Sequence, residues 1–118
     1  GLHEILTWQA TLDQVLRDTP QDNLSVLTAG APDAQPDHRL LTEALPSVVH
    51  HLRERFDLVL VDAPSWHDQP ELLALSSACD AIYLVLGNNQ EEEELAAELQ
   101  RVIMEKGGAL RGSIVAQR

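Results

Sequence analysis

The sequence predicts an α/β fold, a three-layer sandwich with helices on both faces of a mostly parallel sheet. Two uninterrupted aliphatic runs, at residues 58–61 and 81–86, are typical of strands that are covered on both faces, as the strands of parallel sheets are. Stretches with helical spacing separate such runs, and parallel neighbours need crossovers of this kind. The chain has 118 residues, the length of one domain, so we expect residues 1–118 to form a single domain.

Short elements are predicted for the first part of the chain. Apolar residues at helical spacing predict two short helices, at residues 2–6 and 12–16, and Thr11 is placed to cap the second. Polar and apolar residues alternate over residues 23–28, which predicts a strand that ends in a turn at Gly30.

A loop and a long helix precede the first aliphatic run. Residues 31–37 contain two prolines and are predicted as a loop, and residues 37–55 keep a helical rhythm. Pro46 is the discordant residue within that rhythm, and we expect it to kink or restart the helix. The strand at residues 58–61 then closes at Asp62.

The remaining elements alternate between helix and strand. A short helix is predicted at residues 71–77, a doubly buried strand at 81–86 and the longest helix at 90–106. The glycines at 107–108 end that helix, and residues 112–116 form the last strand.

The charge of the chain limits its partners. Nineteen acidic and eight basic residues give a formal net charge of −11, which repels nucleic acid and anionic lipid, so neither nucleic acid nor direct membrane contact is expected. No apolar run approaches the ~20 residues of a membrane-spanning helix. The single cysteine, Cys79, cannot form an internal disulfide and suits a reducing compartment. We therefore expect a cytoplasmic protein.

The candidate site residues follow the first aliphatic run. Asp62 lies at the carboxyl end of a predicted strand, where α/β proteins place ligands, so it either has a metal-binding role or caps the following turn. Trp66 is either an exposed anchor for a protein partner or a residue packed over the sheet edge. Ser65, His67 and Asp68 are the residue types of a hydrolase triad, but the Gly-x-Ser-x-Gly turn of such enzymes is absent from the sequence, so no catalytic residues are assigned.

No metal site is predicted from the histidines. The five histidines lack the spacing of metal ligands on one helix face, and we expect them to be solvated. The acidic residues 91–94 open the longest helix, where they either stabilise its positive end or face a basic groove of a partner.

Several motifs occur in an order that is known from one family. The most specific is Phe-Asp-Leu-Val-Leu-Val-Asp-Ala-Pro at residues 56–64, which is similar to a Walker B strand. The other segments are residues 1–6, residues 23–30, Pro36 with Leu40 and Leu41, residues 80–86 and residues 110–115. Together they resemble the bacterial tyrosine kinase family, whose ATPase domains control polysaccharide chain length and export, and whose scaffold is shared by septum-site and partition ATPases.

The resemblance implies a P-loop NTPase-like fold in which Asp62 is the Walker B acid that helps to place magnesium beside ATP. The 118 residues contain no Gly-x-x-x-x-Gly-Lys-[Ser/Thr] motif and no Asp-x-Asp strand, and their only tyrosine is Tyr83. We therefore expect a partial or degenerate domain that lacks the P-loop strand and needs no cofactor by itself. Asp62 would hold magnesium only if a phosphate loop is supplied.

A missing central strand leaves a gap in the sheet. Either residues 58–61 pair directly with residues 81–86, or another chain or an N-terminal segment supplies the strand. A homodimer is one way to supply it.

Three functions follow from the resemblance. The first is a non-catalytic regulatory or interaction module of polysaccharide biosynthesis and export, which binds a kinase or export component and is inactive as an enzyme. The second is the C-terminal part of an active ATP-dependent autokinase. The third is a relative of partition or septum-type ATPases that binds a protein through the surface near Trp66.

Overall fold

The computed structural model describes residues 1–30, 38–63 and 75–116. They form a mixed α/β structure with two compact units, Gly1–Leu45 and Pro46–Arg118. The predicted α/β class with a parallel sheet is thus confirmed. The three-layer arrangement and the single-domain organisation stay predictions.

The first unit contains two short helices and a small hairpin. Helix α1 (Leu2–Leu6) and helix α2 (Leu12–Val15) lie where the sequence predicts them. Strand β1 (Arg17–Asp18) pairs antiparallel with strand β2 (Ser25–Val26), and β1 was not expected from the sequence. Thr11 is the N-cap of α2, as predicted.

The strand predicted over residues 23–28 is shorter in the structure because the chain after it binds the start of α1. The carbonyl of Thr28 accepts from the Leu2 N–H at 2.7 Å, and that of Ala29 accepts from the His3 N–H at 2.9 Å. These bonds satisfy amide groups at the start of α1, which have no partner within the helix. Among the residues of this unit whose burial the structure describes, Leu6, Val15 and Leu45 are buried.

Helix α3 (His38–Arg55) continues through Pro46, so the helix does not restart there, and the alternative, a kink at Pro46, stays a prediction. Proline fixes φ near the helical value but removes one hydrogen-bond donor from the helix interior. Leu45 and Val49, on either side of Pro46, are both buried.

The second unit is organised around a βαβ motif. Strand β3 (Ile82–Gly87), helix α4 (Gln90–Glu105) and strand β4 (Leu110–Ala116) follow one another, and β3 and β4 pair in parallel. Aliphatic strands joined by an amphipathic helix were predicted here, and all three elements lie within two residues of their predicted bounds. The helix packs on both strands through buried residues that include Leu99 and Ile103.

Helix α4 ends in a Schellman motif. The Gly107 N–H donates to the Met104 carbonyl at 3.1 Å, and the Gly108 N–H donates to the Ile103 carbonyl at 2.9 Å. Gly107 has a φ of 79°, the left-handed conformation that this motif requires and that glycine adopts without strain.

Residues 58–61 do not form the predicted strand, and they do not pair with β3. Leu58 and Leu60 are 74% and 85% exposed. A strand requires a hydrogen-bonded neighbour, and the described residues supply none for this segment, since β3 pairs with β4 alone. The aliphatic composition of residues 58–61 predicts burial, but the described residues leave Leu58 and Leu60 exposed.

The predicted helix at residues 71–77 is described only from residue 75, where residues 75–77 form a 3₁₀ turn. Leu75 and Ser76 are buried in this turn. A Cβ atom on Gly108 would lie 2.8 Å from the Ser76 Cβ, so glycine permits the close approach. None of the helices in the described ranges combines the length and apolarity needed to cross a bilayer.

Candidate functional site at the end of the parallel strands

The carboxyl end of β3 is the place where an α/β sheet ordinarily binds its ligand. Strand β3 ends at Gly87, two residues pass, and α4 begins at Gln90 with Asn89 as its N-cap. A strand that leads into a helix N-terminus presents backbone N–H groups, and such groups bind phosphate in many proteins.

Here a side chain of the protein occupies that position. The Glu92 carboxylate accepts a hydrogen bond from the Gly87 N–H, and the Glu92 N–H donates to the Asn89 Oδ1 at 2.8 Å. Glu92 is partly buried, and its carboxylate lies where an anionic ligand would have to bind the same donor. The strand end is thus closed by the first turn of its own helix.

The charge around α4 points the same way. Glu91, Glu93 and Glu94 also lie in or beside the first turn, and all three are exposed. Their charges interact favourably with the positive end of the helix and oppose the approach of a phosphate.

Asp62, the predicted magnesium ligand, is exposed at the end of the irregular segment that replaces the predicted strand. In the described ranges 1–30, 38–63 and 75–116, no three His, Cys, Asp or Glu side chains converge as metal ligands. Trp66, the predicted partner contact, lies outside the described residues together with Ser65, His67 and Asp68. Both roles stay predictions.

One face of the parallel sheet is apolar and open. Val85 pairs with Ile114 in the β3–β4 ladder, and Tyr83 pairs with Gly112, so Tyr83, Val85 and Ile114 share a face. All three side chains are exposed, and Val85 is 69% exposed. Side chains of β3 on the alternate positions, Leu84 and Leu86, line a groove against α4 instead. Parallel sheets are normally covered on both faces, so this face is unusual.

Trp8 is a feature that the sequence reasoning missed. It follows the end of α1, has a φ of 62° and is 93% exposed. The Trp8 N–H donates to the Ile5 carbonyl at 3.1 Å, and the Gln9 N–H donates to the Glu4 carbonyl at 2.8 Å, which is again a Schellman motif. The sequence signal was available, since a tryptophan stands just after a short helix, where glycine is usual.

Two charged residues, Arg53 and Asp80, act on Cys79. Arg53 Nη2 lies 2.9 Å from Asp80 Oδ1 in an ion pair that is largely exposed. Burial raises the pKa of the Cys79 thiol, the negative charge of Asp80 raises it further, and the Arg53 guanidinium partly opposes both effects. A raised pKa keeps the thiol protonated and is the opposite of what a nucleophilic cysteine needs.

No protein-family profile matches the chain. It is 24% identical over 115 residues to tyrosine-protein kinase CpsD of Streptococcus pneumoniae serotype 4, across 98% of this chain and 51% of the relative. Tyrosine-protein kinase YwqD of Bacillus subtilis is 23% identical over 115 residues, across 98% of this chain and 48% of the relative. Tyrosine-protein kinase ptk of Acinetobacter johnsonii is 34% identical over 64 residues, which are 54% of this chain and 9% of the relative.

The solved BceF tyrosine kinase domain superposes on the chain with a TM-score of 0.82 and 29% identity. The match covers 98% of this chain and 48% of that domain. This chain thus spans about half the length of CpsD, YwqD and the BceF domain, and a far smaller share of ptk. The resemblance to bacterial tyrosine kinases that its motifs predicted is confirmed.

Proposed function

We propose that this chain, whose homologues are bacterial tyrosine kinases, is a non-catalytic kinase-like module that acts by protein contact. Its setting would be polysaccharide biosynthesis and export, and its partner a kinase or export component or a second copy. The observation that carries the proposal is the Glu92 carboxylate on the Gly87 N–H. A protein carboxylate at this strand end competes with phosphate for the same donor.

The chemistry of phosphoryl transfer supports the non-catalytic role. Kinases and ATPases hold their nucleotide with backbone N–H groups, a lysine and magnesium, which together neutralise the phosphates. The 118 residues carry no phosphate loop, and the strand end adds carboxylates in place of cations. Asp62 by itself would bring one more negative charge, so these carboxylates would repel the phosphates of ATP.

The open sheet supports protein contact. Within residues 1–30, 38–63 and 75–116, the parallel sheet has two strands and an exposed apolar face, so backbone donors, backbone acceptors and carbon surface stay without a partner from these residues. An added strand or a packed surface would satisfy both, and β-strand addition is a common mode of protein recognition. These features favour a module that is completed by a partner.

The experiment is isothermal titration calorimetry of this chain with ATP and magnesium, with the BceF tyrosine kinase domain as the positive control. We expect no binding to the chain, and no phosphotyrosine after incubation with ATP. Micromolar affinity for ATP would overturn the proposal.

A second function is favoured by one finding, the match to half of a kinase domain at a TM-score of 0.82. The same residues could serve as part of an active ATP-dependent autokinase, in which Asp62 helps to place magnesium. In that case, fusing a segment that carries a phosphate loop would restore magnesium-dependent ATP binding, and Asp62→Asn in the fused protein would abolish it. The non-catalytic module predicts that the fused protein does not bind ATP, with or without the Asp62 substitution.

A further inference from the structure

We propose that His50 and Glu54 of α3 form a binding site for a divalent transition-metal ion, and zinc is the ion with which we test it. The two side chains supply the protein ligands, and water fills the remaining positions on the ion. No metal site was predicted from the spacing of the histidines, and this site instead joins one histidine to a carboxylate. It goes beyond the proposed function, because zinc binding here neither requires nor excludes protein contact.

Helix α3 brings the two side chains together. Residues four apart lie one above the other on the same face of an α-helix, and His50 and Glu54 have this spacing. The His50 Nε2 lies 3.2 Å from the Glu54 Oε1. Imidazole nitrogen is a good ligand for zinc, copper and nickel, and zinc also accepts carboxylate oxygen. The pair therefore has the chemistry of a two-ligand chelate for such ions.

The distance between the two atoms fits that chelate. Zinc binds imidazole nitrogen at about 2.0–2.1 Å and carboxylate oxygen at about 2.0–2.2 Å, so at a tetrahedral ion the two ligand atoms lie about 3.4 Å apart. The observed separation of 3.2 Å is close to this span. The His51 Nδ1 lies 3.9 Å from the Glu54 Oε2, which is longer than the span, so we leave His51 out of the site. A site with two protein ligands agrees with the finding that no three ligand side chains converge in the described ranges.

The surroundings favour a hydrated cation. The side chains of His50 and Glu54 are 67% and 62% exposed, so water has access to the remaining positions on the ion. Both residues lie near the carboxyl end of α3, where the negative end of the helix dipole stabilises a cation. The formal net charge of −11 adds to this attraction. Arg53, a basic residue of the same turn, pairs with Asp80 at 2.9 Å, which offsets part of its repulsion of a metal ion.

An ordinary helix ion pair is the competing explanation of the same contact. A protonated histidine and a glutamate four residues apart stabilise a helix slightly. Two substitutions of Glu54 separate the explanations: Glu54→His keeps a metal ligand at this position but removes the ion pair, whereas Glu54→Gln removes the carboxylate and with it both interactions. Only a metal site predicts that zinc binding survives Glu54→His and is lost in Glu54→Gln.

Zinc binding is measured by calorimetry and by the unfolding midpoint of the whole chain. An ion that binds the folded chain stabilises it by mass action, so at a zinc concentration about ten times Kd the midpoint should rise by about 6 °C. Magnesium requires octahedral coordination by oxygen ligands and should leave the midpoint unchanged at the same concentration.

Matched variants assign the binding to the two residues. His50→Ala and Glu54→Gln should each lower the zinc affinity at least about tenfold, which is the loss that even changes outside the direct ligands bring. Glu54→His should bind zinc at least as tightly as the parent. His51→Ala changes the neighbouring histidine, and His3→Ala changes a histidine of α1 that has Thr7 rather than a carboxylate four residues later. Both are controls and should bind zinc as the parent does.

Three results would overturn the inference. The first is a midpoint that zinc does not raise. The second is an equal loss of affinity in His50→Ala and His3→Ala, which would mean that zinc binds surface histidines indiscriminately. The third is a Glu54→His variant that does not bind zinc, which would leave the ion pair as the explanation. If a variant fails to fold, the histidine ring signals in NMR spectra of the parent decide: zinc should shift those of His50 before those of His3, and equal shifts would contradict the site. ATP binding by the chain changes none of these outcomes.

Discussion

Glu92 provides the sharpest test of how the strand end is closed. Its carboxylate accepts from the Gly87 N–H, while its own N–H is held by the Asn89 side chain. Replacing Glu92 with alanine removes the acceptor from a partly buried N–H and leaves the Asn89 cap in place. Replacing it with glutamine keeps an oxygen acceptor but removes the charge, so the two variants separate the hydrogen bond from the charge.

The magnitudes follow from these contacts. A hydrogen bond to a charged group contributes about 1.5–3 kcal/mol, and a carboxylate in the first turn of a helix contributes about 0.3–1 kcal/mol through the helix dipole. Because Glu92 is only partly buried, we expect Glu92→Ala to lower the free energy of unfolding by about 2 kcal/mol. Glu92→Gln should cost about 1 kcal/mol or less, since a neutral hydrogen bond remains.

Thermal unfolding followed by circular dichroism measures both effects. An unfolding entropy of about 2.1 cal/mol/K per residue gives a shift of about 4 °C per kcal/mol for a chain of this length. We therefore expect a drop of about 8 °C for Glu92→Ala. Glu91→Ala is the control, because Glu91 lies in the same turn and is exposed. If the Glu91 and Glu92 variants lose equal stability, the bond to Gly87 does not close the strand end and the main support for the proposed function is lost.

Two further predictions concern the second unit. Ile103 is 2% exposed, so Ile103→Ala should lower the unfolding free energy by about 2–5 kcal/mol in urea titrations. Met104 is the neighbouring residue but is exposed, so Met104→Ala should change the unfolding free energy by less than about 0.5 kcal/mol. Similar losses for the two variants would contradict the packing of α4. Because burial and the Asp80 charge raise the pKa of the Cys79 thiol, iodoacetamide should alkylate native Cys79 more slowly than the urea-unfolded chain at mildly alkaline pH, and Asp80→Asn should speed the reaction. The raised pKa stabilises the fold below the ordinary pKa of a thiol, and this contribution is lost as the pH rises through the raised value. Equal alkylation rates in the native and unfolded chains would refute the burial of the thiol.

The elements that the sequence predicted well are those whose local and long-range requirements agree. Helix α4 has an apolar stripe, a capping asparagine and a terminal glycine, and the strands on either side of it are aliphatic. Each of these signals lies within a few residues of the element that it defines. Their agreement explains why β3, α4 and β4 lie within two residues of their predicted bounds.

Residues 58–61 show what local signals omit. Their aliphatic composition is a clear strand signal, but a strand exists only when a neighbour takes up its hydrogen bonds. No strand in the described ranges does so. The Walker B reading of Asp62 depended on that strand, so the same missing neighbour leaves Asp62 exposed and its predicted role untested.

The ends of α1 and α4 show how a departure from a local rule carries functional information. Both helices close with the same two hydrogen bonds, and the backbone of both requires a left-handed residue. At Gly107 the residue satisfies the requirement, and nothing beyond the fold needs to be invoked. At Trp8 a bulky residue adopts the left-handed conformation and its indole is exposed to water, so the residue strains the backbone without adding packing to the fold. The exposed indole of Trp8 is therefore a feature that the fold of α1 does not explain, whereas Gly107 is explained by the fold of α4 alone.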